Sequence, residues 1–84
     1  MMNICFILGN VISEVEFKFI YNSKNISISS FKIMLKNDNI IECKAYNDVA
    51  DYVYRDIKTN DILLIEGTIQ KDGIEVLKIE KLKI

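Results

Sequence analysis

The chain predicts an all-β fold: a five-stranded Greek-key barrel with one helix between its third and fourth strands. Two observations carry that prediction. Runs of strand-forming apolar residues are separated by turn residues at Asn22-Ser23-Lys24-Asn25, Asn37-Asp38-Asn39 and Asp72-Gly73. Between two of these turns, from Asn47 to Ile57, the spacing becomes helical, with Val49, Val53 and Ile57 four apart and Ala50 and Tyr54 beside them. The order is therefore three strands, one helix, two strands.

The first strand, Asn3 to Ile12, is almost continuously apolar, as expected for burial on much of both faces, and Gly9 within it predicts a bend that a small barrel needs. After Ser13-Glu14 the alternation resumes at Val15, Phe17 and Phe19 and carries the strand to about Tyr21. In the second strand Ile26 and Ile28 occupy even positions, whereas Phe31, Ile33 and Leu35 occupy odd ones. One extra residue at Ser29-Ser30, a β-bulge, would keep both sets inward. In the third strand Ile41, Cys43 and Ala45 face inward, leaving Ile40, Glu42, Lys44 and Tyr46 outward. Pairing like faces across this hairpin puts Leu35 opposite Ile41 and Ile33 opposite Cys43. Asn37-Asp38-Asn39 is then a three-residue loop, and Lys32 lies directly across from Lys44.

Asn47 is the expected N-cap of the helix, Asp48 and Asp51 place negative charge near its start, and Asn60 can end it in a left-handed conformation. The helix reads as a plug over one open end of the strands. Ile62-Leu63-Leu64-Ile65 is a fully apolar strand leading to Glu66-Gly67, and Asp72-Gly73 is the strongest two-residue hairpin signal. The last strand, Ile74 to Ile84, changes phase between Leu77 and Ile79 on one side and Leu82 and Ile84 on the other. A kink near Glu80, or an edge that a second subunit covers, would account for it.

Residues 1–84 are read as one domain. A chain of this length buries roughly 60 to 65% of its unfolded surface, so association with further copies would help it. Hydrophobic residues make up 50% and charged residues 27%, the balance of a folded domain. The net charge of -1 excludes a globally basic nucleic-acid binder, so any anion site must be local. Cys5 and Cys43 lack CxxC spacing and the chain has no histidine, so free thiols are expected and no metal site. No apolar run approaches the length of a membrane span and no secretory pattern opens the chain, so the cytoplasm is the expected location. Without histidine, GxSxG or a phosphate-cradling glycine loop, neither an enzyme nor a cofactor is indicated, nor a small-molecule substrate.

Five strands with a helix after the third match the OB-fold, which binds oligonucleotides mainly on the face of its second and third strands. The outward residues there are Lys32, Met34 and Lys36, then Glu42, Lys44 and Tyr46. Two lysines opposed on one face repel and invite a counter-anion such as a phosphate backbone, and Tyr46 offers a ring on which a base can stack. The plainer alternative is a solvated face in which Glu42 neutralises a lysine and Tyr46 packs on a loop. Phe6, Phe17 and Phe31 are expected in the core, and Tyr52 and Tyr54 in the core or at a subunit contact.

Gly9-Asn10-Val11 followed by Glu14, Glu16 and Lys18 resembles the first-strand pattern of the bacterial single-stranded DNA-binding protein family. In that family a Gly-Asn/Arg-Leu run leads to Asp-Pro-Glu and a basic residue. Val49-Ala50-Asp51 through Lys58, then Asp61 and Ile65-Glu66-Gly67, is similar to the family's Leu-Ala-Glu helix, Lys-Gly-Asp turn and Val/Ile-Glu-Gly strand. Together the two motifs cover about half the chain. The resemblance implies an OB-fold that coats single-stranded DNA in replication, repair or recombination, usually as a homotetramer or an equivalent set of OB domains; the sequence leaves RNA open as an alternative ligand. A smaller relative, primosomal replication protein N, is a homodimer. It also implies that Tyr46 stands at a base-stacking aromatic position and Lys18 at a basic one. The chain departs from the family in having no tryptophan, short loops between strands two and three and between four and five, Asn47-Asp48 in place of a glycine and a basic residue, and no acidic tail. These departures imply weak or short-site binding. They also leave a second reading, a protein-interaction or oligomerisation subunit with the same fold.

Overall fold

The first apolar run divides in two because residues 12–15 leave the ladder: β1 covers Cys5–Val11 and β2 covers Glu16–Ile20. There follow β3 (Ile26–Met34), β4 (Ile40–Tyr46), helix α1 (Asn47–Asp56), β5 (Ile62–Gln70) and β6 (Gly73–Leu82). The structure is a computed structural model and describes residues 3–21 and 24–83. Asn22 and Ser23 of the expected turn and Ile84 of the expected last strand lie outside the described residues.

Neighbouring strands run in the order β1-β5-β6-β4-β3-β2, and the sheet closes where Asn10 and Val11 of β1 pair with Met34 and Ile33 of β3. With β1 and β2 as halves of one bent strand, this is the closed five-stranded barrel of the OB-fold. Closure depends on Gly9. A Cβ there would lie 2.8 Å from the Met34 carbonyl oxygen, so β1 can swing from β5 to β3 only with a glycine at that point. Val11, Phe31, Ile33, Cys43, Val53, Ile57, Leu63 and Ile65 fill the interior.

No bulge interrupts β3, contrary to the expectation at Ser29-Ser30: its ladders with β2 and β4 stay in register throughout. The odd positions Ser27, Ser29, Phe31 and Ile33 all face inward and are buried, while Ile26 and Ile28 lie outside. The serines sit inward because α1 lies on them. Ser29 Oγ donates to the Ala50 carbonyl at 2.7 Å and Ser27 Oγ to the Asp51 carboxylate at 3.2 Å. Small hydroxyl side chains with satisfied hydrogen bonds let helix and sheet backbones approach.

The β3–β4 loop has the expected three residues but begins one residue earlier, at Lys36-Asn37-Asp38. The Leu35 N–H donates to the Asn39 carbonyl at 2.8 Å, the Asp38 N–H to the Leu35 carbonyl at 2.9 Å, and Asp38 is left-handed with φ 67°. This is the turn followed by a left-handed residue usual in three-residue hairpins. Moving the loop by one residue moves the register by two, so Ile33 faces Ile41 and Phe31 faces Cys43.

The irregularity expected near Glu80 falls instead at Leu77, the extra residue between the Glu66↔Lys78 and Gly67↔Val76 pairs. Nor is β6 an edge over its whole length. It lies between β5 and β4, pairing parallel with β4 at Cys43↔Ile74 and Lys44↔Glu75. The β5–β6 loop is Lys71-Asp72, with Gln70 opposite Gly73. Gly73 has φ 145°, and a Cβ on it would collide with the Glu42 carbonyl where β6 enters beside β4.

Asn47 is the first helical residue and not the N-cap; Tyr46 caps the helix in an extended conformation without a side-chain bond. Asn47 has φ 55°, a left-handed conformation that asparagine tolerates and that turns β4 into α1 with no intervening loop. At the far end the extended Ile57 is the C-cap, so Asn60 does not end the helix as expected; it is left-handed in the turn that follows, its N–H donating to the Val11 carbonyl at 2.8 Å. Among the described residues no helix is long and apolar enough to cross a membrane.

Candidate nucleic-acid interface

With odd positions of β3 and β4 inward, their even positions form an outer face that β2 extends. Rows of cross-strand neighbours define it: Lys18, Ile28 and Tyr46; then Glu16, Ser30, Lys44 and Glu75; then Lys32 and Glu42; then Met34 and Ile40. Tyr46 and Lys44 stand between two shallow hollows. One is floored by Lys18, Ile28 and Ser30, and the other is walled by the Gln70–Glu75 hairpin. Tyr46 is 37% exposed, so its ring is held by β4 and remains partly open.

The corrected register changes the electrostatics. Lys32 lies opposite Glu42 and not opposite Lys44, and Lys44 lies between Ser30 and Glu75. The face carries Lys18, Lys32 and Lys44 against Glu16, Glu42 and Glu75, so the lysine–lysine repulsion expected to attract an anion is absent. Among the described residues none of these lysines forms an ion pair within 4 Å, which leaves each ammonium group open to a phosphate.

Of the six expected site residues, Lys18, Lys44 and Tyr46 come together around one hollow. Lys32 lines the adjoining hollow with Glu42, and Met34 ends the face beside Ile40 and Asn10. Lys36 lies in the β3–β4 loop over Phe6, Ile7 and Leu8, away from Tyr46. Ile28 in the floor, and Lys71 and Glu75 on the hairpin side, are not among the expected residues. The missed phase of β3 hid the first, and the β4–β6 pairing, which joins distant parts of the chain, hid the others.

Phe31 is in the core as expected, but Phe6 is not: it is 67% exposed on the outer face of β1, near the exposed Leu8 and Leu64. Phe17 is partly exposed, its ring centroid 4.6 Å from that of Tyr54. Tyr52 packs against the core. Both cysteines are free thiols. Burial pushes the Cys43 pKa up to about 12, with smaller contributions from Glu42 and Cys5, so its thiol is a core group and no nucleophile. Among the described residues no cluster of three metal-ligating side chains occurs.

The fold and this face together define an OB domain with an open strand surface. No family model matches the sequence, nor does any curated protein compared with it. The fold matches solved single-stranded DNA-binding proteins. The wild-type protein from Thermus aquaticus aligns with a TM-score of 0.87 and 17% identity, over 99% of this chain and 41% of that one. The domain of a Synechococcus sp. protein gives 0.83 and 14%, over 95% and 96%. The small single-stranded DNA-binding protein from Streptomyces coelicolor gives 0.80 and 12%, over 98% and 94%. The chain therefore spans less than half of the Thermus aquaticus protein and nearly all of the other two. At these identities the likeness establishes a shared fold.

Proposed function

We propose that this chain binds single-stranded DNA, with little sequence preference, on the outer face of β2, β3 and β4. The observation that carries the reading is the grouping of Lys18 and Lys44 around the partly open ring of Tyr46. A base stacks on Tyr46, and the flanking phosphates meet Lys18 and Lys44. Lys32 and Met34 extend the track along β3, and Lys36 contacts a strand that continues beyond the loop. The contacts are to faces of bases and to phosphates, which single-stranded RNA also presents, so RNA is a further ligand of the same track. The role is one of coating exposed strands in replication, repair or recombination in the cytoplasm, without catalysis and without a cofactor. A homodimer or homotetramer is part of the proposal, supported by the exposed apolar row Ile4, Phe6 and Leu8 beside Leu64.

The balanced charge of the face supports a second reading, an interaction subunit whose partner is protein. Fluorescence anisotropy of labelled oligo-dT at low and moderate salt separates the two. Binding that weakens steeply with salt and is lost in Lys32→Glu/Lys44→Glu supports the DNA reading. No binding at low salt would leave the protein-binding reading.

A further inference from the structure

We infer that the hollow between β4 and the β5–β6 hairpin is a base subsite that favours cytosine over thymine. The inference rests on the DNA-binding reading above and concerns which base is held beside Tyr46. Glu42, Lys44 and Tyr46 line the β4 side of this hollow, and the segment from Gln70 to Glu75 lines the other. The two sides are fixed to each other. Parallel pairing at Cys43↔Ile74 and Lys44↔Glu75 seats the hairpin on β4, and Gly73 lies so close to the Glu42 carbonyl that a Cβ there would collide. The volume is about 220 Å³, below the ~300 to 1,000 Å³ of small-molecule sites, which suits a single base. The partly open ring of Tyr46 and the buried Ile74 supply apolar surface for that base.

Stacking on Tyr46 accepts any base, because every base has a π face. The polar groups around the hollow do not. Glu42, Asp72 and Glu75 contribute three carboxylates, and an ionised carboxylate only accepts hydrogen bonds. Among the described residues none of the three is held in an ion pair within 4 Å. Gln70 Nε2 donates to Thr68 Oγ1 at 2.8 Å, which commits its amide nitrogen and leaves its carbonyl oxygen as a further acceptor. A base in the hollow therefore meets an acceptor-rich edge. Cytosine carries the N4 amino donor where thymine carries the O4 acceptor, and Asp and Glu are the side chains that accept from N4. Thymine O4 would instead set its lone pairs against carboxylate oxygens. Lys44 and Lys71 do not reverse this order, since they serve the flanking phosphates and the O2 that both pyrimidines share. The two bases have the same ring size, so the amino group decides between them.

Anisotropy titrations of the full chain with labelled oligo-dC, oligo-dT and oligo-dU of equal length, at low salt and mildly alkaline pH, test this. Oligo-dC is expected to bind about fivefold more tightly than oligo-dT, the low end of the discrimination a base-edge contact gives. Oligo-dU should follow oligo-dT, because uracil keeps O4 and lacks only the methyl group. Glu42→Gln/Asp72→Asn replaces two carboxylates with amides that can turn a donor toward O4, and should bring the dC-to-dT ratio down to about one. Differences in stiffness between the free strands act equally on both proteins, so the change in ratio reports the contact. Asp72→Asn alone alters an exposed residue at the hairpin tip, outside the β5–β6 ladder, and should lower the ratio in part with the fold kept. Oligo-dT bound as tightly as oligo-dC by the wild type, oligo-dU matching oligo-dC, or a ratio unchanged in both variants would each overturn the inference and leave the DNA reading standing. No binding of any homopolymer would overturn both.

Discussion

Replacing Glu42 and Glu75 with glutamine should strengthen DNA binding. Glu42 lies opposite Lys32, and Glu75 opposite Lys44. Residues directly opposite hold their Cβ atoms about 4.5 to 5.5 Å apart, so a phosphate on either lysine comes within about 7 Å of the facing carboxylate. Unit charges about 7 Å apart in water repel by about 0.6 kcal/mol, and screening at about 0.1 M salt halves this. With about two phosphates near each carboxylate, removing both charges is worth about 1 kcal/mol, or roughly fivefold in affinity. Among the described residues neither lysine is ion-paired in the free protein, so the number of phosphate contacts, and with it the log–log salt slope, should stay the same. Oligo-dT anisotropy between about 0.05 and 0.2 M salt reads both quantities. Urea denaturation of the same variants checks that the fold is retained. Unchanged affinity in a folded double variant would refute the placement of the strand on this face.

Tyr46→Ala should weaken oligo-dT binding by about 1 to 3 kcal/mol, whereas Tyr46→Phe keeps it, as measured in the same titration; equal loss in both would argue for a hydroxyl contact in place of stacking. Ser29→Ala removes the buried bond to the Ala50 carbonyl and should cost about 1 kcal/mol in chemical denaturation. Ser29→Val should cost more despite its greater hydrophobicity, because its branch meets the helix backbone. The Cys43 thiol, raised from 9.0 to about 12 by burial, favours its protonated form in the folded state. Its contribution is therefore intact below pH 9 and declines as pH rises toward 12, since the unfolded chain then binds fewer protons. At a pH about 1.5 units above the unfolded value the loss is about 2 kcal/mol, and Cys43→Ala should flatten that alkaline slope in denaturant melts.

Much of the architecture is legible in the sequence because it is written in local periodicity. The helical spacing of Val49, Val53 and Ile57, the bend at Gly9 and the turn residues suffice to order three strands, a helix and two strands. Features that depend on tertiary contact are not legible. Ser27 and Ser29 look like a break in an apolar pattern, yet they continue it, because the hydroxyls bond to a helix met only after folding. The β3–β4 register turned on which of Asn37, Asp38 and Asn39 takes the left-handed position, and all three residues tolerate it. That single ambiguity moved Glu42 opposite Lys32 and changed the electrostatic reading of the site. Phe6 reads as core in a run apolar at nearly every position, and the outside of β1 is apolar too.

The insertion of β6 between β5 and β4 also sets the order in which the molecule can form. As the chain leaves the ribosome, β2, β3 and β4 can pair as a meander of near neighbours, but the far side of β4 waits for Ile74 and Glu75, and β1 waits for β5. Early assembly is thus confined to one half of the barrel, and closure is a late event joining distant segments. Such closure belongs to the slower, millisecond-to-second range of small-domain folding. Until it occurs, the newly made meander exposes the far edge of β4, and the protection of that edge during synthesis depends on how quickly the final hairpin follows.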